Sequence, residues 1–217
     1  MVTATDIATG VPALTRHRDE HSAPGSAGRP TPLHPAIDTA AARAAVADLM
    51  RALGRDPSSP HLADTPRRVA AAYEELLTPR AFDPTTFPND SGYDELVLAR
   101  GIPLTSLCEH HMLPFRGVAH VGYLPGDRIL GLSKLARVVE LFARDLQVQE
   151  RLTMQIADWI DDRLAPRGVG VVIEAEHLCM SIRGVHAAGA RTATSAVRGL
   201  LRTDSASRRE FLDLIHH

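Results

Sequence analysis

The run from Cys108 to His111 carries the groups best suited to chemistry, with a thiol, a carboxylate and two imidazoles in four residues. The only other cysteine, Cys179, stands two residues after His177. Zinc prefers thiolate and imidazole ligands, and a catalytic zinc keeps three protein ligands and one open position. Cys108 and His111, three apart on a turn, can both reach one ion. With Cys179 they predict a Cys2His metal site, to which the alternative is a pair of inert core cysteines.

Two histidines beside these residues, His110 and His177, are left without a part in the metal site. A zinc-bound water whose pKa is lowered toward about 7, flanked by free imidazoles, is an arrangement typical of hydrolysis. The alternative is that each imidazole only orients its neighbours through a hydrogen bond to the backbone. The residue pattern leaves both interpretations open.

A second polar group, formed by Ser133, Lys134 and Arg137, is predicted at the start of a helix. The free N–H groups and the dipole of a helix N-terminus favour anions, and Lys134 is the only lysine of the chain. This pattern indicates a phosphate site, although it lacks the residue order of a P-loop. A solvated helix face is the alternative.

A third group opens the next predicted helix. The carboxylate of Glu150, beside the amide of Gln149, can accept two hydrogen bonds from the N–H and amino groups of a guanine edge. Glu150 is equally a favourable charge in the first turn of a helix. The sequence alone does not decide between these roles.

Composition narrows the classes of function. The chain has 217 residues and a formal net charge of −2, which argues against an obligate binder of nucleic acid or anionic membranes. No stretch approaches the roughly 18 apolar residues of a membrane span, and no secretory signal opens the chain. We therefore expect a cytoplasmic protein that binds neither nucleic acid nor membrane.

The chain divides into three parts by its composition and periodicity. Residues 1–34 are rich in small and turn-forming residues and predict a disordered tail. Residues 35–92 predict a helical region with helices over 35–53 and 65–77, and residues 93–217 predict the catalytic domain. The apolar stripe of the first helix falls at helical spacing: Val46, Leu49, Met50 and Leu53.

The last part is predicted to combine strands and helices. A helix capped by Ser133 and a second helix stand between two groups of strands. The strands before these helices are predicted over 95–100, 116–124 and 128–132.

Residues 168–180 predict one long strand. Because side chains alternate between the faces of a strand, His177 and Cys179 are expected side by side on the face of its apolar row. A strand pair around Gly189 is predicted next. A capping box that begins at Ser207 predicts the final helix.

Four motifs follow one another along the chain: SLCEHH at 106–111, GLSKLAR at 131–137, QVQERLT at 147–153 and EHLCMSIRGV at 176–185. In sequence, order and spacing they resemble the motifs of GTP cyclohydrolase I, the first enzyme of pterin and folate biosynthesis. The resemblance runs from about Thr65 to the C-terminus and leaves the N-terminal tail outside.

This resemblance implies an α+β fold of the tunnelling type (T-fold), in which an antiparallel sheet carries helices on one face, preceded by an N-terminal helical appendage. It implies a homodecamer with active sites between subunits. It also implies Zn²⁺ on Cys108, His111 and Cys179, and GTP as the substrate. Opening of the imidazole ring by zinc-activated water, loss of formate and rearrangement of the ribose would then give 7,8-dihydroneopterin triphosphate.

The resemblance also implies roles for single residues that act on the substrate. His110 matches the acid–base histidine near N7 of the purine. His177 matches a second proton donor, toward the ribose. Ser133 matches a residue near the ribose or the phosphates.

Five further residues match the groups that bind GTP in the family. Lys134, Arg137 and Arg183 match the clamp on the triphosphate, whose negative charge three cations can largely offset. Gln149 and Glu150 match the pair that reads guanine.

Two other functions fit part of the pattern. A relative could open the ring of GTP for a specialised deazapurine pathway and stop early, although the presence of both His110 and His177 argues against this. A zinc-stabilised, nucleotide-binding oligomer without turnover is the non-enzyme alternative. The residues do not say which pathway uses the product, or whether the oligomer is regulated.

Overall fold

The computed structural model describes residues 36–216, and all structural statements below concern that part of the chain. Its elements in chain order are α1 (Thr39–Ala52), α2 (Thr65–Leu77), β1 (Thr86–Pro88), β2 (Val97–Cys108), β3 (Pro114–Leu124), β4 (Arg128–Leu130), α3 (Leu132–Ala143), β5 (Leu146–Gln147), α4 (Gln149–Leu164), β6 (Gly168–His177), α5 (Leu178–Ser181), β7 (Thr192–Gly199), α6 (Leu200–Thr203) and α7 (Ser205–His216).

A five-stranded sheet in the order β5-β2-β3-β6-β7 forms the centre of the fold. The four long strands pair antiparallel, while the two residues of β5 pair parallel to the end of β2. A separate antiparallel pair joins β1 to β4. The predicted α+β class, with an antiparallel sheet and helices packed on it, is confirmed.

The main core lies between one face of this sheet and the helices α3 and α4. Alternate residues of β6 point into it and are fully buried, namely Val169, Val171, Ile173 and Ala175. This is the alternation expected of a strand with one face on a core. The row leads directly toward His177, so the core positions the end of β6 at which the candidate site lies.

The other face of the sheet is partly covered by the C-terminal helix α7. The ring of Phe211 is fully buried there, over Gly122 and Gly170. A Cβ at Gly170 would lie only 2.7 Å from that ring. The two glycines therefore leave the space that the phenylalanine occupies, and α7 packs closely onto the strands.

The N-terminal helices pack on each other, but α1 buries none of its residues. Its N-cap Asp38 accepts a hydrogen bond from the backbone N–H of Ala41 at 2.9 Å. The helix therefore begins after the predicted start at residue 35, a residue that lies outside the described part of the chain. The predicted apolar stripe is not buried within the chain, since Leu49 and Leu53 are 58% and 67% exposed. The predicted tail, residues 1–34, also lies outside the described part, and the three-part division of the chain stays a prediction.

Two predicted strands have different ends in the structure. β2 continues past residue 100 to Cys108, with an irregularity in its pairing between Ala99 and Ile102 where Gly101 has a φ of +68°. β6 ends at His177, because the chain turns into the short helix α5 at the next residue. The prediction of one strand over 168–180 is therefore wrong at its end.

Three further local predictions are corrected. β7 is a single strand, and Gly189 lies in the loop before it rather than between two strands. The N-cap of α3 is Gly131, so Ser133 lies inside the first turn and does not cap the helix. At α7, the carboxylate of Asp204 accepts hydrogen bonds from the N–H and hydroxyl of Ser207 at 2.8 and 2.7 Å, which replaces the predicted capping box.

Among residues 36–216, no helix combines the length and the apolar character that a membrane crossing requires.

Candidate active site

A tight loop after β2 carries the first half of the site. The carbonyl of Cys108 accepts hydrogen bonds from the N–H groups of His111 and Met112 at 3.3 and 2.8 Å, and its own N–H donates to Leu113 at 2.8 Å. Met112 takes a positive φ of 53° to make this turn. The loop therefore folds back on Cys108 and holds His111 close to the thiol.

Hydrogen bonds from side chains of α2 and α4 hold this loop in place. The hydroxyl of Tyr73 on α2 donates to the carbonyl of Met112 at 3.0 Å. The guanidinium of Arg151 on α4 donates to the carboxylate of Glu109 at 2.6 Å, and the N–H of Glu109 donates to the carbonyl of Gln147 at 3.0 Å. The loop is thus fixed by residues distant from it in sequence.

Cys179 reaches the same place from the short helix α5. Ligand atoms of Cys108, His111 and Cys179 all lie within 4.8 Å of one another, and both thiols are buried. Sγ of Cys108 and Nδ1 of His111 are 3.7 Å apart, close to the roughly 3.5 Å that separates two ligands of a tetrahedral zinc ion. The chemistry and spacing of this donor set fit a metal ion, and its use as a metal site stays a prediction.

The two thiols also affect each other electrostatically. Burial raises the pKa of Cys179, and the nearby thiol of Cys108 raises it further. Two thiolates at this separation without a cation would repel each other in a buried setting. A bound cation would offset this repulsion between the thiolates, which is consistent with thiolate and imidazole groups as metal ligands.

His110 lies on the open side of the loop. Its side chain is 64% exposed, and its Nε2 is 3.9 Å from a carboxylate oxygen of Glu109. Its Nδ1 is 3.7 Å from Sγ of Cys108, the same distance as Nδ1 of His111. His110 is therefore exposed to solvent and adjacent to the thiol at the same time.

His177 is held on both sides. Its ring stacks on Phe115, which is its cross-strand neighbour, with ring centres 4.6 Å apart and an angle of 10° between the planes. Nε2 of His177 lies 2.8 Å from Oε1 of Gln149. Burial lowers the pKa of His177, while the nearby charge of Glu150 acts in the opposite direction.

The predicted guanine-reading pair is divided between the interior and the surface. Gln149 is 2% exposed and has its amide inside the sheet. Glu150 is exposed in the first turn of α4, close enough to His177 to affect its pKa. Arg183 lies on the same side, since its Nη1 donates to the carbonyl of Cys179 at 3.4 Å.

The remaining predicted residues lie at the other end of the sheet. The backbone N–H of Leu130, just before α3, donates to the hydroxyl of Tyr123 at 3.0 Å, and Tyr123 is eight residues along β3 from Phe115. At about 3.3 Å per residue this is a distance of roughly 26 Å. Ser133 and Lys134 follow in the first turn of α3, so a single chain does not bring them to the thiols.

Arg137 lies one turn further along α3 than Lys134. Its Nη1 is 3.5 Å from the carboxylate of Glu140, which also pairs with Arg80 at 2.6 Å and Arg144 at 3.1 Å. Three arginines therefore share one carboxylate. This leaves a local excess of positive charge on that surface.

Comparison with known proteins identifies the family of this chain. A family model described as GTP cyclohydrolase I matches residues 42–216. The chain belongs to the GTP cyclohydrolase I family. The predicted enzyme class and function, GTP cyclohydrolase I, are confirmed, and the alternative of an early-stopping relative is not favoured.

This chain matches curated relatives over most of their length. GTP cyclohydrolase 1 of Mycolicibacterium vanbaalenii is 58% identical over 186 residues, which is 82% of this chain and 91% of that protein. GTP cyclohydrolase 1 of Mycobacterium tuberculosis is 56% identical over 184 residues, covering 82% of this chain and 91% of that protein. Among solved structures, the apo archaeosine synthase QueF-Like shares 16% identity, covers 48% of this chain and 94% of that chain, and has a TM-score of 0.41.

The contacts of this GTP cyclohydrolase I family member include residues that sequence reasoning passed over. Arg151 stands only four residues after Gln147, and this short separation was a signal for their hydrogen bond at 3.0 Å. Phe115 and Tyr73 gave no comparable signal, because their partners His177 and Met112 are 62 and 39 residues away. Only strand register and helix packing bring these pairs together.

Proposed function

We propose that this chain converts GTP and water into 7,8-dihydroneopterin triphosphate and formate. The observation that carries the proposal is the convergence of Cys108, His111 and Cys179, with ligand atoms within 4.8 Å of one another. His110 lies against the same thiol and His177 two residues before Cys179. A metal site bordered by two imidazoles can open a ring by hydrolysis, and the family match indicates which ring.

Zn²⁺ is the proposed cofactor. Thiolate and imidazole ligands favour zinc over the hard cations Mg²⁺ and Ca²⁺, and three ligands leave one position for substrate or water. When bound, the ion supplies Lewis-acid chemistry and lowers the pKa of a coordinated water to about 7. Cys108, His111 and Cys179 would hold it.

His110 and His177 are the proposed proton-transfer groups. Cleavage of the imidazole ring requires a proton on the departing nitrogen, and His110 is accessible for this because its side chain is 64% exposed. His177, held between Phe115 and Gln149, is proposed to serve the ribose side. General acid–base catalysis of this kind contributes about 10²- to 10⁴-fold.

Glu150 is the proposed guanine-reading residue. Its exposed carboxylate can accept hydrogen bonds from N1–H and the amino group of guanine. Adenine presents an acceptor at N1, which would face the carboxylate unfavourably. The polarity of hydrogen bonding thus selects GTP over ATP.

The triphosphate is proposed to bind the positive groups at both ends of the sheet. Arg183 lies beside Cys179, whereas Ser133 and Lys134 lie in the first turn of α3 at the far end of the sheet, with Arg137 one turn further along the helix. A separation of roughly 26 Å along β3 exceeds what one GTP site allows. We therefore propose that the α3 group of one chain completes the site of another.

A homo-oligomer is the assembly that this requires, and the family resemblance indicates a decamer. Exposed apolar side chains border both halves of the site: Leu132 beside Ser133 is 69% exposed, and Ile182 and Val185 beside Arg183 are 60% and 72% exposed. Large exposed apolar groups around a functional site are typical of interaction surfaces. The exposed stripe of α1 fits the same conclusion.

The cytoplasm is the proposed location. GTP is the proposed substrate, and the site needs two reduced thiols to hold a metal ion. Reducing compartments keep such thiols from pairing as a disulfide. Cell fractionation with an activity assay would test this.

A product assay on the purified, zinc-loaded chain tests the proposed reaction. Incubation with GTP should release formate and, after oxidation, give a fluorescent pterin, while ATP as matched control should give neither. Accumulation of a formamidopyrimidine would instead support the early-stopping relative. Tight GTP binding without any product would support the non-catalytic oligomer.

A further inference from the structure

Gln149 is a buried side chain whose polar atoms are all engaged. It is 2% exposed, and its Nε2 donates to the carbonyls of Ile173 and Thr192 at 3.0 and 2.9 Å. Its Oε1 lies 2.8 Å from Nε2 of His177. If the amide were turned over, its oxygen would face two carbonyl oxygens. The sheet therefore determines which end of the amide faces His177.

Two threonines strengthen this assignment. The hydroxyl of Thr153 donates to the backbone carbonyl of Gln149 at 2.7 Å. Because that uses its only proton, Thr194 must donate in the Thr153–Thr194 hydrogen bond of 2.7 Å. The oxygen of Thr194 then remains a third acceptor for Nε2 of Gln149 at 3.1 Å and shares the two amide protons with the carbonyls of Ile173 and Thr192. Each hydrogen bond around the amide has one possible direction.

This network determines the tautomer of His177. Oε1 of Gln149 can only accept, so Nε2 of His177 must donate. The neutral ring then has its proton on Nε2 and its lone pair on Nδ1. Stacking on Phe115, with ring planes 10° apart, prevents the ring from tilting away from this hydrogen bond.

We propose that Gln149 is a positioning residue that holds His177 as the Nε2–H tautomer, which leaves Nδ1 as the nitrogen that exchanges a proton with the substrate. The inference rests on the proposed function, in which His177 transfers a proton. It differs from the guanine-reading role, because an amide with every atom engaged inside the sheet has no group left for a base edge. Glu150 then reads the base without it.

The first test is the tautomer itself. Nitrogen NMR of the metal-loaded protein, labelled with ¹⁵N-histidine, should show Nε2 of His177 protonated and Nδ1 unprotonated. A His177→Asn variant assigns the signals by their loss. An Nδ1–H tautomer of His177 in the unmodified protein would overturn the proposal without any variant of Gln149.

The second test separates positioning from base reading. Gln149→Met keeps the length of the side chain but removes the acceptor, so kcat should fall roughly 10- to 100-fold, as for other orienting partners. KM for GTP and the preference for GTP over ATP should stay within about threefold. The His177 signals should change toward a mixture of tautomers.

The matched control is Gln147→Met. Gln147 is equally buried at 1% exposure; its amide donates to Phe142 and Gln155, accepts from Arg151 and makes no hydrogen bond with His177. This variant should leave the ¹⁵N signals of His177 unchanged. A change as large as in Gln149→Met would mean that any lost glutamine disturbs the ring, which would overturn the specific role of Gln149.

The outcomes also distinguish this inference from the proposed function. If the unmodified protein does not open GTP, the proposed function fails, while the tautomer measurement still decides the hydrogen bonding. If Gln149→Met raises KM or relaxes guanine preference at unchanged kcat, Gln149 reads the base and the inference is wrong.

If that variant does not fold, Thr194→Val removes one acceptor of the amide, and a smaller loss of kcat at constant KM is expected. A rise in KM for GTP without a loss of kcat in Thr194→Val would contradict the positioning role of Gln149.

Discussion

Arg151 donates to the carboxylate of Glu109 at 2.6 Å, across 42 residues of sequence. The same guanidinium donates to the side chain of Gln147 at 3.0 Å and to the carbonyl of Leu146 at 2.7 Å. The side chains of Arg151 and Glu109 are 40% and 33% exposed, so their attraction alone adds little stability. The effect of Arg151 is geometric, because it joins α4 to the loop that carries Cys108.

We therefore expect Arg151→Met to weaken metal binding. Loss of an outer partner of a metal loop typically costs roughly 10- to 100-fold in affinity. Competition with a chromophoric zinc chelator measures this directly. Arg163→Met, an exposed arginine in the last turn of the same helix, is the control and should bind zinc normally. Unchanged affinity in Arg151→Met would show that the loop holds its shape without α4.

Removal of either thiol should remove the metal. Cys108→Ser and Cys179→Ser each leave two of the three proposed ligands, so both zinc content and turnover should be lost together. Elemental analysis of the purified protein, beside the product assay, measures the two. Met180→Leu, next to Cys179, is the matched control. Full zinc stoichiometry in either serine variant would exclude the ligand set.

His110→Ala should separate binding from chemistry. The imidazole of His110 is exposed and lies outside the proposed ligand set, so zinc content and GTP affinity should be retained while ring opening falls by about 10²- to 10⁴-fold. Formate release in a single-turnover experiment is the measurement. His61→Ala, at an exposed position remote in sequence, is the control. Normal formate release from His110→Ala would remove this residue from the mechanism.

Glu150→Gln should relax the choice of base. An amide can present a donor to N1 of adenine, whereas a carboxylate cannot, so the ratio of GTP to ATP affinity should fall by at least about tenfold. Competition binding with both nucleotides measures the ratio. Glu74→Gln, an exposed change on α2, should leave it intact. An unaltered ratio in Glu150→Gln would place base recognition elsewhere.

His120 should make the fold sensitive to acid. It is 9% exposed, its Nδ1 has no hydrogen-bond partner among the described residues, and burial lowers its pKa below the ordinary 6.5. Its charged surroundings are Glu174, which opposes the shift, and Arg100 and His216, which add to it.

The sign of this effect follows from proton uptake. Above pH 6.5 the imidazole is neutral in both states, so its contribution to stability is fully present. Below that pH the unfolded chain takes up the proton first, and stability falls by at most about 1.4 kcal/mol per pH unit for one group. Unfolding in urea between pH 7.5 and about 5 should show a steeper loss for the unmodified chain than for His120→Leu. His186→Ala, at an exposed position, should retain the steep profile.

The approach of Cys108, His111 and Cys179 to one another could be predicted, because residues that can bind a metal ion in this way are few in the chain and chemically distinctive. Cys108 and His111 are close in sequence, and the chain has no third cysteine to compete with Cys179. The end of β6 could not be predicted, since the alternation of residues continues beyond His177. The chain turns into α5 there, which brings Cys179 to Cys108 by a helical turn rather than along the strand.

Other features depend on partners that no local pattern identifies. The sequence predicts Gln149 as part of a guanine-reading pair, but its buried amide donates to the carbonyls of Ile173 and Thr192, 24 and 43 residues away. The apolar stripe predicted for the first helix is not buried within the chain, since Leu49 and Leu53 are exposed. Periodicity shows that a helix has an apolar side; it does not show whether the same chain or another one covers it.

The separation of Lys134 from Cys108 within one chain has a genetic consequence. In an oligomer of the proposed kind, a chain damaged at Lys134 still offers an intact metal centre, and a chain damaged at Cys108 still offers its cations. Two alleles that are each inactive alone can then rebuild a fraction of complete sites when expressed together. Defects at the two ends of the sheet would belong to different complementation groups, although a single gene encodes both.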